Sequence, residues 1–357
     1  QRQMCIRDRN ITALRQYLTG HNVNLICTTG RNLPNLLPNY QADAVFVRST
    51  TPINADTIGR LAYKPQFVAT ATLGTDHIDT SFLQKNNIGF ADAKGTSKHS
   101  VAQYVLTAIF SLRPKSLTAP IRLGIIGLGN IGSTLAHYAV SLGWQVIAYD
   151  PLLPSSPPTA YLTHTHDLAD VLTSDVVSIH TPLTTGGLYP TYQMVDDDFL
   201  ATMPNDTLLI NTARGQIVDD VALMADIDRT NRQVVLDVFA SEPTLSATLL
   251  ERLSLATPHI AGYSLDGKLR GTDSIYQAFC RYFELPILHH LNEFLPPSDI
   301  NSEQLFKTLK HNPDAIKSVY DIKKDDKLLR QCLHNGQVAG ADFDALRKNY
   351  PLRREWY

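Results

Sequence analysis

"RLGIIGLGNIG", residues 122–132, decides how the chain is read. A short apolar run enters a turn at Gly127, Gly129 and Gly132, and "STLAHYAVSLG" continues from it with helical spacing. G-x-G-x-x-G alone is a weak signal. Here it lies between a strand and a helix, and Asp150 ends the next apolar run, "WQVIAYD", about twenty residues further on. The first glycine allows a tight turn, the second lets the backbone approach a pyrophosphate, and the third lets helix and strand pack closely. Backbone N–H groups around Gly129, Asn130 and Ile131 would then meet phosphate at a helix N-terminus. Asp150 would accept hydrogen bonds from both ribose hydroxyls and repel a 2′-phosphate, so the cofactor expected is NAD rather than NADP.

Downstream, "DVVSIH" (175–180), "TLLIN" (207–211), "QVVLDVF" (233–239) and "LSLATPHI" (253–260) are apolar runs separated by helical patterns. This alternation predicts βαβ units and a parallel sheet. Arg214, Glu242 and His259 follow three of these strands closely. Ligands bind at the carboxyl ends of strands in open parallel sheets, so the three side chains can converge there. A carboxylate beside an imidazole favours its charged form, and an arginine fork suits a carboxylate. Singly, each has an ordinary structural explanation; together they supply an anchor, an orienter and a base for oxidising a 2-hydroxy acid.

Upstream, "ADAVFVRS" (42–49), "PQFVATATLG" (65–74) and "NIGFADA" (87–93) predict buried strands of a separate α/β block. "TSKHSVAQYVLTAIFSL" (96–112) predicts a long helix, with Val101, Val105, Ile109 and Leu112 on one face and Thr96 or Ser97 as its cap. At 357 residues the chain exceeds the size at which one core usually stops growing, which predicts more than one domain. A net charge of −2 gives no reason to expect nucleic acid or an anionic membrane as partner. Cys5, Cys27, Cys280 and Cys332 have no metal-ligand spacing, which predicts no metal site and reduced thiols in a cytoplasmic protein. The opening "QRQMCIRDR" has three arginines and no periodicity, so residues 1–9 are expected to be non-native read-through rather than a first strand.

"GIIGLGNIG", "HTPLT", "LLINTARGQIVDD", "LDVFASEP" and "TPHIAGYS" resemble the successive signatures of the D-isomer-specific 2-hydroxyacid dehydrogenases, and the likeness extends over almost the whole chain. "VRSTTPIN", "ATATLGTDHID", "HIAGYSLDGKLRGT", "YDIKKDDKLLR" and "DFDALRKNYPLRREW" narrow the resemblance to a branch acting on a phosphorylated 2-hydroxy acid, with an added C-terminal dimerisation domain. The resemblance implies an NAD-dependent oxidoreductase, homodimeric, with Arg214, Glu242 and His259 as catalytic residues. Thr181, Thr212, Ala213, Asp237 and Gly262 would join the glycine turn and Asp150 in lining the NAD site, although Asp237 could equally cap nearby amides. Ser49, Thr72 and Tyr263 would contact substrate. For the substrate's phosphate, Arg48 is the first candidate, and Arg353 or Arg354 of a partner subunit the second. Where the family helix often has Asn and Glu, this chain has Ser97 and Gln103, which puts interdomain hydrogen bonds there in doubt.

The fold expected is α/β: two Rossmann-like, doubly wound parallel-sheet domains plus a small C-terminal α+β dimerisation domain. Residues 1–95 and 265–285 would form a flavodoxin-like substrate-binding domain, 96–264 the NAD-binding domain, and 286–357 an incomplete dimerisation domain. The charged clusters "KKDDK" and "RKNYPLRREW" read as solvated faces. Two alternatives stay open: another family member such as 3-phosphoglycerate dehydrogenase, or a non-catalytic NAD-sensing protein on the same scaffold.

Overall fold

The computed structural model describes residues 3–154, 161–298 and 300–356, which divide into two compact units. Unit 1 comprises Gln1–Ser97 and Ser264–Pro297; unit 2 comprises Lys98–Tyr263 and Ser298–Tyr357.

Unit 1 holds β1 (Gln3–Asp8), β2 (Val23–Thr28), β3 (Ala44–Val47), β4 (Phe67–Thr70) and β5 (Gly89–Ala91), a parallel sheet in the order β2-β1-β3-β4-β5. Side chains alternate across it. Cys5, Phe46 and Phe67 face Ile275, Tyr276 and Phe279 of the helix Leu265–Tyr282, while Ile6, Val45, Val47 and Val68 face Leu33, Leu37 and Leu83. The expectation that residues 1–9 form no first strand is corrected for 3–8, whereas residues 1 and 2 lie outside the described part. Cys5 and Ile6 are fully buried in a strand paired on both sides. Arg7 is tolerated there because its Nη1 donates to the Ile11 carbonyl at 2.9 Å and its Nε to Cys27 Sγ at 3.2 Å.

Unit 2 holds β6 (Arg122–Ile126), β7 (Gln145–Tyr149), β8 (Leu162–Thr165), β9 (Val176–Ile179), β10 (Leu208–Asn211), β11 (Val234–Leu236), β12 (Leu245–Ser246) and β13 (Leu255–Ala256). Seven of them form a parallel sheet in the order β13-β11-β10-β9-β6-β7-β8. Strand order reverses between β6 and β9, which makes the crevice beyond their carboxyl ends the topological switch point. The helix Lys98–Leu112 forms as expected, but it is buried nearly all round rather than along one face.

Residues 298–357, expected to belong to a small C-terminal domain, cluster with unit 2. Leu305, Phe306, Leu309, Tyr320 and Trp356 join the core on one face of the seven-stranded sheet, and Leu329, Val338 and Phe343 join the core on the other. A short hairpin, β14 (Leu333–His334) and β15 (Gln337–Val338), turns at Asn335–Gly336, both with positive φ, and pairs antiparallel with β12. Such a two-residue Asn-Gly turn matches strand twist. The clusters read as solvated faces are partly inward: Asp325 and Trp356 are buried, and Glu355 is fully so. The four cysteines are free, and no helix among the described residues is long and apolar enough to cross a membrane.

Candidate active site

The switch-point crevice begins at the glycine turn after β6. Gly127 has φ of 94°, and its N–H donates to the Tyr149 carbonyl at 2.8 Å. A β-carbon on Gly132 would lie 1.9 Å from the Gly127 carbonyl oxygen, so only glycine lets the helix Asn130–Ser141 start so close to the turn. At Gly129 a β-carbon would meet nothing within 4 Å, which leaves open space in front of the helix N-terminus. Asn130 and Ile131 open that helix, whose first N–H groups have no intrahelical acceptor. Asp150 accepts from Leu128 N–H at 2.9 Å and Leu152 N–H at 3.2 Å; it braces the turn and keeps further acceptor positions.

Thr181 follows β9 and Thr212 follows β10; both carry a buried hydroxyl oxygen with no partner. Unmet donors at a strand-end crevice suit a polar ligand. These orphaned hydroxyls, the open Gly129 and the helix start together fit a dinucleotide. Ala213 is nearly buried, its N–H held by Asn211 Oδ1 at 2.9 Å. Asn211 Nδ2 also donates to the Arg214 carbonyl at 2.8 Å, and a β-carbon on Gly215 would strike the Phe239–Ala240 peptide at about 2 Å. That close approach brings the loop bearing Arg214 against the one bearing Glu242. Arg214 itself is half-buried, with Nη1 donating to the Ala213 carbonyl at 2.7 Å.

His259 Nδ1 and Glu242 Oε2 are 2.8 Å apart, with His259 35% and Glu242 22% exposed. Glu242 Oε1 accepts from Phe239 N–H at 2.8 Å. Burial acts to raise the Glu242 carboxyl, but the bond and charge of His259, the Phe239 amide and the Arg347 charge outweigh it, and the net shift is downward. His259 has φ of 56°, in the left-handed region. Asp237, 1% exposed, grips the following residues: Oδ1 accepts from Thr257 Oγ1 at 2.6 Å and Ile260 N–H at 2.8 Å, and Oδ2 from Ala261 N–H at 2.9 Å. Burial pushes its carboxyl up to about 6 against these bonds and the His259 charge. Its visible role is the clamping of amides that its sequence position allowed. Tyr104 OH, 2.6 Å from Thr257 Oγ1, donates to it because that hydroxyl's own proton goes to Asp237. His180 is half-buried, and desolvation pushes it down to about 3, so it stays neutral and is no second base. Gly262 and Tyr263 follow the same loop, half-buried, with the Arg347 guanidinium 5.8 Å from the Tyr263 ring centre.

Arg48 and Ser49 follow β3 in unit 1, and Thr72 follows β4 there. Thr72 Oγ1 donates to the Gly74 carbonyl at 2.9 Å and lies 2.7 Å from Thr70 Oγ1. The guanidinium of Arg353, a second phosphate candidate from a partner subunit, donates within its own chain to the Ile260 carbonyl at 3.0 Å, the Tyr350 hydroxyl at 3.1 Å and the Ala261 carbonyl. Neither that arrangement nor Gln103, which bonds the Trp356 backbone through Nε2 and Oε1, had a local sequence signal. Among the described residues no group of three or more His, Cys, Asp or Glu could hold a metal.

Residues 111–261 match the NAD binding domain of the D-isomer specific 2-hydroxyacid dehydrogenases, and the chain belongs to that family. Residues 294–357 match a domain of unknown function. The chain is 47% identical to the erythronate-4-phosphate dehydrogenase of Psychrobacter arcticus, over 98% of each chain. It is 44% identical to the enzyme of that name from Acinetobacter baylyi, over 88% of this chain and 87% of the other. Its fold is similar to the D-mandelate dehydrogenase of Rhodotorula graminis, with a TM-score of 0.67 at 22% identity over 84% of this chain and 100% of that one. A Staphylococcus aureus formate dehydrogenase solved with NAD gives a TM-score of 0.64 at 20% identity, over 83% and 97%.

Proposed function

We propose that the chain oxidises 4-phospho-D-erythronate at C2 to (R)-3-hydroxy-2-oxo-4-phosphooxybutanoate with NAD, the step its resemblance places in pyridoxal 5′-phosphate (vitamin B6) synthesis. The observation that carries the chemistry is the 2.8 Å His259–Glu242 pair on a clamped loop at the sheet's carboxyl edge. The substrate rests on the names of relatives at 44–47% identity.

With Nδ1 committed to Glu242, His259 has Nε2 left to accept the C2 hydroxyl proton. Glu242 holds the ring in that tautomer and stabilises the imidazolium that results. Arg214 would hold the substrate carboxylate with its fork. The glycine turn, Asp150, Thr181, Thr212, Ala213 and Gly262 would hold NAD, which would supply the hydride acceptor for C2. Tyr263, Ser49 and Thr72 would position the substrate, and Arg48 would take its phosphate. Arg48→Ala should raise KM for the phosphorylated acid selectively; an equal effect on a non-phosphorylated 2-hydroxy acid would remove that role. The reading includes a cytoplasmic homodimer, tested by sedimentation equilibrium and by cell fractionation.

The decisive assay compares NADH formation from 4-phosphoerythronate and 3-phosphoglycerate, with His259→Ala as control. Preference for 3-phosphoglycerate, or NAD binding without turnover of any 2-hydroxy acid, would reject the reading.

A further inference from the structure

The strand leading to His259 is an edge strand with a bare side. In the seven-stranded sheet β13 pairs with β11 alone, so its outer main-chain groups need partners from elsewhere. The C-terminal residues meet one of them and two carbonyls just before the strand. Asp326 Oδ1 accepts from Ala256 N–H at 2.8 Å, and Arg330 donates to the Leu250 and Leu253 carbonyls at 2.8 and 2.9 Å while bonding Asp326. Beyond β13 the chain turns through His259 in the left-handed region, a conformation that persists only where its surroundings hold it.

The two peptides after His259 are gripped from both sides. Asp237 takes the N–H groups of Ile260 and Ala261, and Arg353 takes their carbonyl oxygens, that of Ala261 together with Ser100 Oγ at 2.8 Å. The Arg353 guanidinium also bonds Ser100 Oγ at 3.1 Å and lies 4.4 Å from the Tyr320 ring centre. Nearby phenols and Asp237 keep it charged although burial opposes this. Three residues on, Gln103 grips both backbone groups of Trp356, whose indole stacks on Tyr138 at 6.3 Å.

We propose that the C-terminal segment is a working part of the catalytic centre: Arg353, fixed by Gln103 and Tyr350, positions the turn that aims His259. Arg353 is a positioning residue, since its donors go to the loop backbone. The inference rests on His259 being the proton acceptor, and it gives residues 298–357 a catalytic task inside their own chain, separate from any role between subunits.

The test uses the full chain as Arg353→Ala, Arg353→Met and Arg353→Lys. A misaimed base should lower kcat by about 10- to 100-fold, since displacements near 1 Å have effects of that size. KM and NAD affinity should change little, while the carbonyls left without their donor should lower the melting temperature by about a few degrees. Guanidinium chloride at millimolar concentration should restore part of the kcat of Arg353→Ala, and Arg353→Lys should fall between wild type and Ala. The His259 Nδ1–H proton resonance should shift or broaden in every variant, a readout that needs no turnover. Wild-type kcat with an unchanged His259 resonance overturns the proposal, as does a parallel loss of kcat, NAD affinity and melting temperature without guanidinium rescue. If the Ala and Met chains do not fold, Arg353→Lys decides by the same two readouts. A wild-type chain without turnover refutes the reaction reading instead, and the resonance still reports on the positioning.

Discussion

Glu242→Gln is the sharpest perturbation of the site, because the structure dictates how the new amide must turn. Glu242 serves two donors: Oε1 accepts from Phe239 N–H at 2.8 Å, and Oε2 lies 2.8 Å from His259 Nδ1. Glutamine has one oxygen for these two positions. Phe239 N–H is a main-chain donor that cannot turn away, so the oxygen faces it and the NH2 group faces His259. Nδ1 must then become the acceptor, which puts the neutral ring's proton on Nε2, the atom that should receive the substrate proton. The wrong tautomer in a comparable carboxylate–imidazole pair lowers kcat by about 10⁴-fold, or roughly 5 kcal/mol of barrier. Steady-state NADH formation should show a loss of about 10³- to 10⁴-fold in kcat, with NAD binding by fluorescence unchanged because Glu242 is not assigned to the cofactor. A Glu242→Gln enzyme within about tenfold of wild type, where a displacement alone could account for the loss, would refute the tautomer reasoning.

The two glycines of the turn should separate binding from folding. Gly129→Ala meets nothing within 4 Å and should weaken NAD binding in titration while the melting temperature holds. Gly132→Ala puts a β-carbon 1.9 Å from the Gly127 carbonyl and should destabilise by about 1–3 kcal/mol in urea unfolding. The Glu242 carboxyl is lowered from its ordinary 4.5 in the fold, so its contribution to stability is present above that pH and lost as pH falls through the lower native value. The melting-temperature gap between wild type and Glu242→Gln should therefore shift against Glu242 as pH falls below about 4.5; a gap that stays constant there would contradict this. Arg232→Met removes the donors to the buried Asp226 carboxylate and the Pro204 carbonyl, both at 2.6 Å, and leaves Asp226 paired with the largely exposed Arg229 alone. A cost of about 3–5 kcal/mol, seen as a fall in melting temperature on the order of 10 °C, is expected by calorimetry.

Much of the site could be read from residue order, because its signals are local. The glycine turn works within six residues of chain, and Asp150 follows at the spacing one βα unit and the next strand impose. Arg214, Glu242 and His259 announced themselves as polar residues just beyond apolar runs, and the parallel sheet brings such positions to one edge. The strand Gln3–Asp8 was hidden because its arginine's donors are met by partners outside the strand, Cys27 and the Ile11 carbonyl. The Asn335–Gly336 hairpin did carry a signal, the dipeptide itself, masked by flanking strands only two residues long.

The sequence by itself determined the sheet types and the glycine turn, and singled out His259 and Glu242 as a proposed acid–base pair, since each follows from periodicity or from a residue's chemistry at a strand end. Tertiary structure alone decided what holds that pair in place. Asp237 reaches 23 and 24 residues along the chain to the His259 loop, Arg353 reaches back 93 to Ile260, and Gln103 reaches 253 forward to Trp356. No periodicity encodes such contacts, because their partners are backbone groups, identical in every residue type but proline, and only the folded chain selects which of them meet.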